Sequence, residues 1–267
     1  MPPSFADYRI TAQSDGAAPG RGQVWLARPP ARLGLDGDVA LVGLGPIDDA
    51  DWAVVTGRLA ELASVRSPHL PALLEAGRER QDGRGPGWVT RDHPQARPLG
   101  PDAPPEAALA AVASAARAAH DLHEAGWAHG DIRGGTILLD AGQALLDLPL
   151  ATATDLPPTV ARVGAPEELD GVEPDRLWGA GPTRASDVYA LGAVLHRHLT
   201  RGLLHPDLPG DPVVTAVQRV LVERPRVDTE LHGPAADLVR ACLDPDPARR
   251  PPSALAVAER LEELAAA

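Results

Sequence analysis

Lysine is missing altogether: all 25 basic residues of this 267-residue chain are arginines. No lysine ammonium is therefore on hand for any phosphate, and the abundance of alanine, glycine and proline points to a GC-rich genome. The single cysteine, Cys242, excludes an internal disulfide and gives no metal cluster, leaving a buried C-terminal thiol as the expectation. No apolar run approaches the ~18 residues of a membrane span. The opening MPPSFADYRI also lacks the charged and apolar regions of a signal peptide. With a formal charge of -12 and a pI near 5.1, neither nucleic acid nor an anionic membrane is expected as the main partner. These deficits leave a soluble, cytoplasmic protein as the expectation.

What is present suffices for a core: 44% of residues are apolar, and the length allows one large domain or two lobes around a cleft. The first hundred residues are strand-like and loop-rich. GRGQVWLARP (20–29), GDVALVGLGP (37–46) and GWVTRDHP (87–94) read as short strands bounded by glycine and proline. Between 50 and 66, Trp52, Val55, Leu59, Leu62 and Val65 fall at helical spacing. From 104 the character changes to a long alanine-rich helix that opens on prolines and stops at Gly126. Segments 186–200, 212–223, 234–243 and 252–266 read as further helices, and 14–22, 79–87 and 205–212 as loops.

The stretch HGDIRGGTILLD (129–140) has the outline of a phosphoryl-transfer loop: an aspartate, a basic residue two positions on, then an apolar strand. LLDLPLA (145–151) follows, then ASDVYALGAVLHRHLT (185–200), and near the end LDPDPARRPPSALAVAERL (243–261). In this order and spacing the chain resembles the bacterial (actinobacterial-type) eukaryotic-like serine/threonine protein kinase family, as a pseudokinase, from about Tyr8 to Leu264. The resemblance implies an α+β, protein-kinase-like bilobal fold. Its small β-rich N-lobe would cover 8–92 and its larger helical C-lobe 93–265, with a hinge near 90–99. It makes Asp131 the catalytic-loop aspartate, Arg133 a stand-in for the loop lysine, and Asp147 the metal-binding aspartate of the D-F-G position. Asp187 would anchor the loop backbone, and His129, Leu148 and Leu62 would stack as the apolar column joining the lobes. Val24 and Ala40 match the residues that sandwich adenine.

Under the same resemblance the phosphate contacts are altered. Gly20 and Gly22 are the remaining glycines of the phosphate-covering loop, where Ala17 and Pro19 replace others; a proline offers no N–H. Val42 occupies the position of the phosphate-binding lysine, and Arg58 that of its helix glutamate, with Glu61 one turn away as the alternative. Thr136 replaces the second metal ligand, and Gly130 replaces the arginine that docks an activation-segment phosphate. Arg91 and Pro94 fall at the adenine gate and hinge. Losing a cation from a dry phosphate site costs several kcal/mol, hence orders of magnitude in rate.

Four expectations follow. The chain is read as not an enzyme but a regulatory or scaffold module that binds a protein partner, without nucleic acid, membrane or any expected cofactor, ATP and Mg binding being weak or absent. The alternatives are a divergent ATP-binding Ser/Thr or small-molecule phosphotransferase with residual activity, and a non-hydrolysing nucleotide sensor. Arg58 and Arg91 are read either as solvated or, in the sharper reading, as supplying one partner to Asp147 across the cleft. Asp175, rather than Glu167 of the literal A-P-E, is expected to meet Arg250 or Arg249. Thr152, Thr154 and Thr159 are candidate phosphoacceptors, with chance threonines the preferred reading.

Overall fold

A computed structural model describes residues 5, 7–13, 23–79, 84–150, 166–208 and 213–266. Gly20 and Gly22, with Ala17 and Pro19, lie outside the described residues, as do Thr152, Thr154 and Thr159.

The N-terminal part is one antiparallel sheet of β1 (Arg9–Gln13), β2 (Val24–Arg28), β3 (Val39–Asp48), β4 (Leu73–Arg78) and β5 (Arg84–Arg91), in the order β1-β2-β3-β5-β4. Side chains alternate across it. Val24, Val42 and Val89 are paired in register and join the central core, while Trp25, Leu41 and Trp88 face the other way under Phe5 and Tyr8. Helix α1 (Asp49–Leu62) follows β3 directly. Its N-cap Asp48 accepts from Asp51 N at 2.9 Å, and Asp49 and Asp51 in the first turn suit the helix dipole. Val55, Leu59 and Leu62 bury against the sheet's inner face.

The C-terminal part is helical. Helix α2 (Pro105–Glu124) buries alanines on most of its length, which lets α7 (Ala254–Ala266) approach through Val257, Ala258 and Leu261. Short α3 (Pro174–Leu177) precedes α4 (Arg184–Thr200), the most deeply buried helix; α5 (Val213–Val222) and α6 (Pro234–Cys242) complete the lobe. Helices α4 and α6 meet so closely that a Cβ on Gly192 would run into Cys242 Cβ, well inside van der Waals contact. Cys242 is buried, and burial pushes its thiol up to about 12. Between the lobes lies a small sheet of β6 (Arg97–Pro98), β7 (Ile137–Asp140) and β8 (Gln143–Leu146). Ala141 and Gly142 turn its hairpin with φ of 47° and 89°, as a two-residue turn of this hand requires.

The two-part α+β architecture is the one expected. Two details differ. Strand β5 starts at Arg84, inside a segment read as loop, and β4 carries no strand signature in the sequence, because its residues are all half-buried and show no alternation. No helix among the described residues is long and apolar enough to cross a membrane.

Candidate functional site

The site assembles where α2 ends. Gly126, with φ of 84°, stops the helix and sends the chain into the loop 129–136. Asp187 enters from the first turn of α4, which Thr183 caps by accepting from Ser186 N. Its carboxylate accepts from His129 N at 2.7 Å, Gly130 N at 2.8 Å and His123 Nε2 at 2.9 Å. The expected anchor of the loop backbone is therefore in place. His129 is wholly buried, and its Nδ1 accepts from Asp131 N at 3.1 Å. The ring proton accordingly sits on Nε2 and is donated to Asp147 O at 2.9 Å. One neutral imidazole thus ties the loop to the end of β8, as a structural residue rather than a base. Leu62 and Leu148 belong to the same central cluster.

In the cleft, Arg91 Nε lies 2.9 Å from Asp147 Oδ1, with the side chains only 4% and 6% exposed. Arg91, on β5, thus pairs with Asp147 as the sharper of the two readings held. Arg91 Nη1 also donates to Asp92 O and His93 O at 3.0 Å each, and Asp147 Oδ1 accepts from Leu148 N at 2.9 Å. The Nε contact is an ion pair by distance without hydrogen-bond alignment. Arg58 is half-buried on α1, one turn before Leu62, whereas the alternative Glu61 is exposed on the outer face. Val42 is buried among Val24, Ala40 and Val89, so apolar side chains fill the seat of the phosphate-binding cation.

At the mouth, Arg133 Nε lies 3.0 Å from Asp131 Oδ1 while its Nη1 donates to Glu168 Oε1 at 2.8 Å. Thr136 departs from its candidacy as a cofactor ligand. Its buried hydroxyl donates to Arg133 O and accepts from Arg133 N, both at 2.9 Å, and is spent on the loop's own turn. The partner of Arg250 is a further correction: it is Glu173, not Asp175. Glu173 is the buried N-cap of α3, whereas Asp175 sits in that helix's first turn, exposed. Sequence reasoning also missed Arg176, whose Nη1 donates to Gly130 O at 2.5 Å, and Glu168; their partners are far away along the chain, with no local spacing to betray them.

Magnesium with ATP, the pair the resemblance implies, is not matched by this arrangement. Asp147 already has a cation, Thr136 is committed, and position 42 offers no charge. Among the described residues no three His, Cys, Asp or Glu side chains group as a metal site.

No protein-family model matches the chain. It is similar to the serine/threonine-protein kinase PknK of Mycobacterium tuberculosis, 34% identical over 160 residues that cover 55% of this chain and 14% of that protein. It is also similar to the serine/threonine-protein kinase PknB of Mycobacterium leprae, 28% identical over 235 residues, 82% of this chain and 36% of that one. The chain thus spans well under half the length of these curated relatives. In three dimensions it resembles the kinase domain of Mycobacterium tuberculosis PknI, with a TM-score of 0.69 and 20% identity over 97% of both chains. The fold is that of a kinase domain. These likenesses correct the expectation that the chain is not an enzyme: the relatives it matches are named as serine/threonine-protein kinases, and the matched structure is a kinase domain.

Proposed function

Since the chain is a relative of the bacterial eukaryotic-like serine/threonine protein kinases in sequence and fold, we propose that it is a catalytically impaired member which works mainly as a regulatory protein-binding module in the cytoplasm. The buried Arg91–Asp147 pair carries this reading. A nucleotide's metal would have to displace a guanidinium already seated on the carboxylate, and Val42 gives nothing to the phosphates in return. Phosphoryl transfer rests on positioning and charge stabilisation, so these two changes strike at the main sources of its rate. The impairment is one of rate. Asp131 keeps its place beside His129 and remains partly open to solvent, which supports slow transfer to an acceptor. The framework around Asp187 and Arg250 is intact, which keeps the helical lobe ordered as a binding module requires. The net charge of -12 favours such a partner over nucleic acid or an anionic membrane.

Thermal unfolding with and without Mg-ATP tests the reading. The native protein should shift little, whereas Val42→Lys combined with Arg91→Met should gain a clear upward shift; a ligand at a hundred times its Kd adds about 2.7 kcal/mol. A shift of that size in the native protein at millimolar Mg-ATP, or label transfer from ATP as fast as the double variant's, overturns it. Partner capture should survive Asp131→Asn, and its loss there would count against the binding role.

A further inference from the structure

The loop peptide at Gly130 is held from both ends. Its N–H goes to Asp187 Oδ1, and its carbonyl accepts from Arg176 Nη1 at 2.5 Å. Gly130 has φ of 74°, a conformation suited to glycine, so an arginine at position 130 would be strained. Arg176 comes from α3, whose N-cap Glu173 is the partner of Arg250. Arg250 is in turn fixed to Asp244 O at 2.8 Å and Ala185 O at 3.0 Å, with its guanidinium 5.1 Å over the Tyr189 ring. The chain of contacts therefore runs from the packed end of the helical lobe to the residue before Asp131. Arg176 Nε is buried without a hydrogen-bond partner. Burial lowers the Arg176 pKa, and Asp187, Asp131 and Glu173 around it oppose that shift, keeping the cation.

We propose that Arg176 is a positioning residue for Asp131. It supplies, from the segment after the activation region, the cation that the loop lacks at Gly130, and it does so permanently. The loop's geometry is then independent of phosphorylation between 151 and 165. A phosphate arriving at this junction would meet the carboxylates of Asp131, Asp187 and Glu173, and the guanidiniums of Arg176, Arg133 and Arg250 are each already engaged, which makes a poor anion site. This inference stands apart from the impaired-catalysis reading, because it concerns where the loop is held and not whether it transfers phosphate.

Amide hydrogen exchange on the full chain tests it. In Arg176→Met, exchange at Gly130, Asp131 and Ile132 should rise roughly tenfold or more, as expected for losing a charge-assisted bond to a buried carbonyl. Helix α7 should keep its native protection and serves as the internal control. Arg176→Lys should recover part of the effect. Glutamates at Thr152, Thr154 and Thr159 together should leave protection of residues 130–132 unchanged. Unchanged exchange at the loop in Arg176→Met, a rise spread equally over α7, or added protection in the triple glutamate variant would each overturn the proposal.

Discussion

Replacing Arg91 by methionine isolates the contact that closes the cleft. Methionine keeps the apolar stem and removes the charge. Asp147 would remain buried beside Leu148 N–H and would lose the Arg91 guanidinium. Breaking a buried ion pair from one side costs roughly 3–5 kcal/mol. For a chain of this size each kcal/mol moves Tm by roughly 2–4 °C, so a fall of roughly 6–20 °C is expected. Asp147→Asn in the same background removes the stranded charge while keeping an acceptor for Leu148, and should restore most of the loss.

Urea denaturation of the four proteins gives the coupling energy, expected at about 2–3 kcal/mol. The bonds from Arg91 to Asp92 O and His93 O are lost in both arms of the cycle and cancel. Because the pair is buried, raising the salt should change the coupling little, whereas an exposed pair would fade. A coupling under about 0.5 kcal/mol would refute the reasoning: the pair would then be a bystander, and Val42 alone would have to explain any weak nucleotide binding.

Three further outcomes are expected. Gly192→Ala should destabilise by about 1–3 kcal/mol, since its methyl would run into Cys242 Cβ; an unchanged urea midpoint would contradict that packing. Glu173→Gln should weaken the fold by about 2 kcal/mol or more while Asp175→Asn stays within about 0.5, and the reverse order would return Arg250 to Asp175. Burial lowers the His196 pKa below its ordinary 6.5, so the unfolded chain takes up the proton first. Stability is then complete above pH 6.5 and falls as pH drops below it, by at most about 1.4 kcal/mol per unit for this group. His196→Gln should flatten the corresponding part of a Tm-against-pH curve; an equal slope in both proteins would remove His196 as its source.

How much of this was legible depends on the kind of signal. Helices α2 and α4 announce themselves by alanine and apolar periodicity, and the loop residues His129 and Asp131, with Asp187 on α4, by fixed spacing within motifs. The closing of Arg91 on Asp147 could be anticipated because both residues fall at aligned positions facing one cleft. The choice between Glu173 and Asp175 could not, because the run E-P-D offers two carboxylates and spacing alone does not say where α3 begins. Once Pro174 opens that helix, Glu173 is left as a buried N-cap and Asp175 turns to solvent. Arg176 and Glu168 escaped for a related reason. Arginine and glutamate are scattered throughout this chain, and their pairing is decided by tertiary placement of short elements that have no periodic pattern.

The same chemistry shows why a retained Asp147 does not by itself report phosphoryl transfer. Its backbone N–H goes to Thr136 O, its carbonyl accepts from His129, and its carboxylate accepts from Leu148 N, so the residue is woven into the lobe junction whatever the cleft does. The open question is only which cation it serves. Under the proposed reading, a latch worth about 2–3 kcal/mol would leave the carboxylate released in roughly one molecule in 30 to 160, and would lower any apparent affinity for a magnesium nucleotide by the same factor. Such a drop would impair without abolishing. It would also give the hinge a handle: whatever draws the Arg91 guanidinium away from Asp147 would return that factor to the cleft, with no change at Asp131.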